Sequence, residues 1–344
     1  MATDTATAAA RPVERVLAGT DRRRHVLDLD DFTADEITAV LDDAAAMREV
    51  LGRDVKKVPT LRGRVIVTLF YEASTRTRIS FEEAGKILSA DVINMTATAS
   101  SVEKGESLLN TGLTLQAMGV DAIVVRHPHS GAPNFLARSL SNVAIINAGD
   151  GAHAHPTQGL LDLYTAREHL GEIAGRKVVI VGDVLHSRVA RSAVWGFAHL
   201  GAEVVLSGPP TLLPDPFTPG GWGAAADNGI HNPLANVRLQ PDLDAAIEEA
   251  DLVMALRLQT ERQQRGFFPS IREYIRRWQV NDQRMAQANA NALLMHPGPM
   301  NEGIEVSTAL AHGERSLIEE QVTNGVAIRM ALLYQLVGHG SGAD

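Results

Sequence analysis

Three hydroxyls and two arginines fill five consecutive positions, Ser74-Thr75-Arg76-Thr77-Arg78. They follow a short β-branched apolar run, residues 64–72, and lead into a helical pattern, SFEEAGKILSA. At a helix N-terminus the free backbone N–H groups and the helix dipole attract an anion, and a guanidinium adds a two-pronged donor. A helix cap needs only one hydroxyl. The surplus points to an oxyanion ligand.

Polar residues recur behind the other strand-like runs. Arg126 follows residues 122–125, and Arg188 follows residues 178–181 with Gly182-Asp183-Val184-Leu185-His186-Ser187 between. Behind residues 143–147 comes His155, immediately before a proline that opens a helix, with Gln158 one turn on. Arg257 and Gln259 follow residues 252–256, and His296-Pro297-Gly298-Pro299 ends the last run. In open parallel sheets, ligands bind outside the carboxyl ends of the strands. Basic and amide groups at those ends suit a cleft for anions grouped around a carbonyl-like centre.

Other chemistries lack their residues. Neither G-x-G-x-x-G nor G-x-x-x-x-G-K follows a strand-like run. No dense Asp/His cluster has metal-ligand spacing, and no Ser/His/Asp order stands out as a hydrolase triad. With no cysteine in the chain, a disulfide framework, a thiolate metal site and a catalytic Cys are ruled out.

The elements that must hold these groups alternate. Strand-like runs at residues 64–72, 92–95, 122–127, 143–149, 177–183, 202–209 and 292–299 are separated by stretches with apolar residues at helical spacing. An amphipathic helix lies ahead of them at residues 34–51, and a long one ends the chain after residue 316. Alternation of this kind implies βαβ units and parallel sheets. The length of 344 residues suggests two domains at ~150 residues each. The expected fold is α/β, two parallel sheets flanked by helices, with the active site in the cleft between. The helix around Leu160 is expected to bridge them.

The net charge is −9, and aromatics make up 4% of the chain. Nucleic-acid binding is not expected, since it uses a basic face and stacking platforms. Residues 1–24 are Ala/Thr-rich and read as a flexible arm, without the apolar core of a signal peptide. No run of ~18 apolar residues occurs, so no membrane partner is expected. The absence of cysteine and of a leader fits the cytoplasm.

FYEASTRTRISFE, SSVEKGES, VRHP, GDGAHAHPTQGLLDLYT, GDVLHSRVARS, RLQTER and HPGPMNEG occur in this order. Together they resemble the catalytic chains of the aspartate carbamoyltransferases, within the aspartate/ornithine carbamoyltransferase superfamily. STRTR and HPTQ are common to the superfamily, whereas RLQTER and HPGP mark the aspartate branch. The His-Cys-Leu-Pro and Ser-Met-Gly motifs of the ornithine enzymes are absent.

The resemblance implies transfer of a carbamoyl group from carbamoyl phosphate to L-aspartate, on the route to pyrimidines, with no cofactor and no metal. By the same resemblance, Ser74, Thr75, Arg76 and Thr77 cradle the phosphate, and Arg126 bridges phosphate and carbonyl oxygen. Thr77, Arg126 and His155 polarise that oxygen, while Gln158 and the carbonyls of Pro297 and Gly298 hold the carbamoyl NH2. The aspartate carboxylates fall to Arg188, Arg257, Gln259 and Lys104. Ser100 and Lys104 are implied to come from a neighbouring subunit of a homotrimer. Glu72 is implied to pair with Arg188 and Arg262 on domain closure. A regulatory chain or other pyrimidine-pathway enzymes are the implied partners of any higher assembly. The implied division places residues 25–155 and 321–344 in a carbamoyl phosphate domain and residues 156–320 in an aspartate domain. The pattern departs at Gly298 and Met300, where some members carry Leu and Arg. A carbamoyltransferase for another amine and a catalytically silent scaffold are the alternative readings.

Overall fold

A computed structural model describes residues 23–96, 107–214, 233–258 and 270–338. Its first sheet holds β1 (Val65–Phe70), β2 (Asp91–Thr96), β3 (Ala122–His127) and β4 (Ala144–Asp150), in the order β2-β1-β3-β4. The second holds β5 (Lys177–Val181), β6 (Glu203–Ser207), β7 (Val237–Leu239), β8 (Leu252–Ala255) and β9 (Leu293–Met295), in the order β7-β6-β5-β8-β9. All pairings between these strands are parallel. The apolar runs of β3, β4, β5 and β8 have both faces covered, as parallel sheets require.

Both sheets reverse their strand order once. Chain order runs outward from β1 to β2 on one side and to β3 and β4 on the other. In the second sheet β5 leads to β6 and β7 on one side, and β8 and β9 lie on the other. The β1/β3 and β5/β8 gaps are therefore switch points, where a crevice opens at the carboxyl ends. Residues 72–78 and Arg126 flank the first gap, and residues 183–188 and Arg257 the second.

Helices α1 (Ala34–Leu51), α2 (Thr75–Ile87), α3 (Leu108–Ala117) and α4 (Ala132–Ser139) accompany the first sheet. At the start of α1, Thr33 Oγ1 accepts from Glu36 N at 3.2 Å, and Glu36 Oε2 accepts from Thr33 N at 2.8 Å. This reciprocal cap satisfies two of the helix's orphan donors. The two sheets are joined by α5 (Pro156–Leu170), buried from Pro156 to Ala166 and packed against α1 and α6 (Arg188–His199). Full burial of Leu160 and Leu163 contributes about 1.5–3 kcal/mol each. Short helices α7 (Leu243–Ile247), α8 (Ile271–Trp278), α9 (Asp282–Met285) and α10 (Thr308–Ala311) surround the second sheet. Finally α11 (Ile318–Leu333) returns to pack on α1, α2 and α5.

The elements differ from the sequence expectation in a few places. Residues 1–22 of the expected arm lie outside the described residues, and Arg23 and Arg24 are held by the fold. The Arg23 guanidinium pairs with Asp31 at 2.8 Å and lies 3.6 Å from the Phe32 ring centroid. Arg24 donates to the Ser141 carbonyl at 2.6 Å. Because α11 starts at Ile318, a division at residue 320 cuts through a helix. The helix continues past Leu333 as a π turn, Tyr334–Gly338. Helices α4, α8, α9 and α10 and strand β7 are too short to leave a periodic pattern, the longest being 8 residues.

Candidate active site

Ser74 stands at the N-cap of α2, yet its side chain makes no capping bond. Its hydroxyl is therefore not consumed by the helix, and no acidic residue occupies the first turn. Thr77 is buried at the same end. Arg76 reaches across to the turn after β9. A Cβ on Gly298 would lie 2.0 Å from Arg76 Nη1, and Gly298 has φ +59°, so only glycine lets the guanidinium rest there. Burial, then the charge of Arg257, lowers the pKa of Arg76. That coupling places Arg257, from the end of β8, in the same electrostatic neighbourhood. Met300, the other departure, packs half-buried against the core of the second sheet.

Arg126 and Arg188 meet over one carboxylate. Glu72 Oε2 lies 3.3 Å from Arg126 Nε and 2.9 Å from Arg188 Nη2. Arg126 also donates to the Ala148 carbonyl and Arg188 to the Gly151 carbonyl, each at 3.1 Å. Between them, Gly149 at φ +114° would place a Cβ 3.0 Å from Arg188 Cζ and 3.1 Å from Arg126 Nη1. Ser187 sets the start of α6 by accepting from Ala190 N at 3.1 Å, which fixes where Arg188 emerges.

His155 is the N-cap of α5, again without a side-chain capping bond. Its backbone N–H donates to Ser192 Oγ at 2.9 Å, tying α5 to α6. Burial, reinforced by Arg126, Arg188 and Arg329, holds its pKa well below the ordinary value. The imidazole is thus neutral at pH 7 and can offer one N–H. Thr157 Oγ1 lies 3.5 Å from Nδ1. Gln158, one turn on, donates through Nε2 to Asp162 Oδ1 at 2.9 Å.

Arg126 and Arg188 thus meet on Glu72, while Arg76, beside the Gly298 turn, feels the charge of Arg257. Like charges close together repel, and a bound polyanion relieves the repulsion. Ser100, Lys104, Gln259 and Arg262 lie outside the described residues. Glu72 pairs with Arg188, and also with Arg126, a partner that sequence reading did not foresee. Among the described residues no three His, Asp or Glu side chains converge to hold a metal ion.

Several supporting residues escaped sequence reading. His296 is buried, and its Nδ1 accepts from Gly298 N at 2.8 Å, fixing the turn. Burial, then Arg76 and Arg257, pushes its pKa down to about 3. Glu305, also buried, accepts from Leu258 N at 2.8 Å and from Asn301 Nδ2 at 2.6 Å. It thereby pins the peptide next to Arg257. His153 lies 3.1 Å from Asp150 Oδ2 and 3.5 Å from Asp28 Oδ2. Of these, only His296 carried a sequence signal, its place at a strand end. Glu305 lies in an irregular segment, where no periodicity marks a buried position.

Comparison with known proteins matches the two sheets separately. Residues 24–168 match the family model "Aspartate/ornithine carbamoyltransferase, carbamoyl-P binding domain", and residues 174–336 match the "Asp/Orn binding domain" of the same family. An aspartate carbamoyltransferase catalytic subunit of Roseiflexus sp. (strain RS-1) is 56% identical over 319 residues, 92% of this chain and 96% of that one. Its counterpart in Chloroflexus aggregans is 57% identical over 320 residues, 93% of this chain and 100% of that one. Among solved structures, the ornithine carbamoyltransferase from Pyrococcus furiosus superposes with a TM-score of 0.80 at 28% identity, covering 92% of this chain and 98% of that one. Aspartate transcarbamoylase from Trypanosoma cruzi in complex with carbamoyl phosphate and aspartate gives 0.78 at 27% identity, covering 92% and 96%. Backbone shape is common to both acceptor types, while the close sequence relatives fall on one side. The chain belongs to the aspartate/ornithine carbamoyltransferase family, on the branch of its aspartate carbamoyltransferase catalytic subunits.

Proposed function

We propose that this protein transfers the carbamoyl group of carbamoyl phosphate to the amino group of L-aspartate, releasing phosphate, as a step toward pyrimidines. One observation carries the reading. Arg126, from the first sheet, and Arg188, from the second, share a carboxylate oxygen of Glu72 beside a neutral, buried His155. A phosphate-bearing substrate and a dicarboxylate are thereby brought to the two sides of one oxyanion-stabilising centre.

In this assignment the phosphate sits on the N-terminus of α2, held by Ser74, Thr75, Arg76 and Thr77, with Arg126 reaching its bridging side. Thr77, Arg126 and His155 donate to the carbonyl oxygen, and their bonds strengthen as it becomes an oxyanion. Gln158 and the carbonyls of Pro297 and Gly298 take the carbamoyl N–H groups. Arg188, Arg257, Gln259 and Lys104 receive the aspartate carboxylates. Guanidinium forks suit an acceptor with a second carboxylate, whereas the ammonium of ornithine calls for an acid.

The neutral amine of aspartate adds to the carbamoyl carbon, and the C=O electron pair moves to oxygen. Collapse breaks the C–O bond to phosphate, which leaves with the bonding pair and accepts the amine's proton. Glu72, by pairing with Arg188 and Arg262, draws the two sides of the cleft together. Arg188 is then both a carboxylate ligand and a closure contact.

The assay that tests this supplies carbamoyl phosphate with either aspartate or ornithine and measures the carbamoylated product. Turnover with aspartate alone is expected. Turnover with ornithine instead would overturn the reading, and binding without turnover on any amine would favour a scaffold.

The proposal extends to a cytoplasmic homotrimer with shared sites, in which Ser100 and Lys104 act on the neighbour's substrate. It also admits assembly with a regulatory chain or with other pyrimidine-pathway enzymes. No helix among the described residues is long and apolar enough to cross a membrane. Mixing inactive Arg76→Ala and inactive Lys104→Ala chains should restore part of the activity on subunit exchange. No recovery, despite exchange proven by mass tagging, would place each site within one chain.

A further inference from the structure

A continuous line of buried hydrogen bonds joins Gln158 to Gly298 through Asp162, Gln321 and His296, three residues to which the sequence assigned no role. Gln158 Nε2 donates to Asp162 Oδ1 at 2.9 Å, and Gln321 Nε2 donates to the same oxygen at 2.8 Å. Gln321 Oε1 in turn accepts from His296 N at 2.9 Å, and His296 Nδ1 accepts from Gly298 N at 2.8 Å. Asp162, Gln321 and His296 are 0%, 3% and 1% exposed. The line crosses three elements, α5, α11 and the turn after β9.

An amide side chain presents a donor at one end and an acceptor at the other, and the end turned to a ligand decides what the ligand must offer. A carboxylate oxygen can only accept. By taking both NH2 groups on Oδ1, Asp162 orients both amides. For Gln158 that leaves Oε1 as the end available to a ligand, and no described residue donates to it. For Gln321 it leaves Oε1 to hold the His296 peptide, whose ring consumes the Gly298 N–H. The Gly298 N–H is thereby consumed inside the turn, and in the carbamoyl-transfer reading the carbonyls of Pro297 and Gly298 are what the turn offers the same ligand group.

We propose that Asp162 and Gln321 are positioning residues that make the carbamoyl subsite a pocket of acceptors, selecting an acyl phosphate that carries NH2 over one that carries CH3. The proposal rests on the carbamoyl-transfer reading and adds to it the residues that set the choice of acyl group. Asp162 Oδ2 has no hydrogen-bond partner among the described residues. Burial pushes the carboxyl up to about 7, against the pull of Gln321, Gln158 and Arg329. A proton taken up near neutrality goes to Oδ2, so Oδ1 accepts from both amides in either state.

Asp162→Leu keeps about the same shape but removes the acceptor, which frees Gln158 to turn over. The test compares kcat/KM for carbamoyl phosphate with the inhibition constant of acetyl phosphate, its methyl analogue, competing at fixed aspartate. For Asp162→Leu we expect a loss of about 10- to 100-fold with carbamoyl phosphate and a change within about twofold for acetyl phosphate. Gln321→Met, which removes the bonds and keeps the length, should shift the same ratio in the same direction. It decides the matter should Asp162→Leu fail to fold by circular dichroism. Equal weakening toward both ligands, or an unchanged ratio, would overturn the proposal and leave a structural role only. The wild-type control separates this from the parent reading, because absence of carbamoyl-aspartate there defeats carbamoyl transfer itself.

Discussion

Arg76→Ala is expected to lower kcat/KM for carbamoyl phosphate by about 10³-fold, close to 4 kcal/mol at ~1.4 kcal/mol per tenfold. In the proposed assignment its guanidinium meets the phosphate whose negative charge grows as the C–O bond breaks. Groups of that kind act mostly in the transition state, and single preorganised donors are worth about 10²–10³ in kcat. Arg76 adds a full charge to that donor role. Arg76→Lys should recover little, because a point ammonium cannot reproduce a planar fork resting on the Gly298 turn. Steady-state kinetics with carbamoyl phosphate varied would check this. A loss under tenfold for Arg76→Ala would remove Arg76 from the phosphate cradle.

His155→Ala should lower kcat by about 10²-fold while KM for carbamoyl phosphate changes by less than about fivefold. A neutral imidazole N–H gives a modest hydrogen bond to a ground-state carbonyl and a stronger one to the oxyanion. The neutrality has a stated origin. Burial and the charges of Arg126, Arg188 and Arg329 lower the pKa of His155, so its protonation belongs to pH values below the ordinary histidine range. The sign follows directly. Between pH 6.5 and 9 the ring stays neutral, so activity is expected to rise with pH over that span as the aspartate amine loses its proton. His155→Ala should therefore reduce the plateau without moving the limb. A limb that disappears in the variant would make His155 the titrating base.

Much of this was legible in the sequence because strand ends are. β1, β3, β4, β5 and β8 are apolar runs closed by a polar residue, and the parallel-sheet rule converts that pattern into a cleft. Arg76, Arg126, His155, Arg188 and Arg257 were found that way. Asp162, Gln321 and Arg329 were not, since each lies on a helix where charged residues ordinarily face water. Their burial follows from α5 and α11 packing on each other, a tertiary fact with no local period. Arg329, buried at the base of the cleft, donates to the Gly325 carbonyl at 3.0 Å and stacks 5.2 Å from the Phe81 centroid. No spacing in the sequence marks it. Gly298 was visible as a turn carbonyl and as a departure from the family pattern, but not as the place where Arg76 rests. The position of Arg76 gives its reason.

The acidity of the chain also takes its proper scale. A charge of −9 describes the whole surface. Placement decides ligand charge, and Arg76, Arg126, Arg188 and Arg257 all stand at or just after strand ends beside the two switch points.

The central claim is that one cleft binds a phosphate-like group through the first sheet and a dicarboxylate through the second. Calorimetric titration with N-(phosphonacetyl)-L-aspartate, which joins both groups in one molecule, tests it most directly. The account predicts one site per chain, with affinity reduced at least about 100-fold by Arg76→Ala and, separately, by Arg257→Ala. Undiminished affinity in either variant would contradict it.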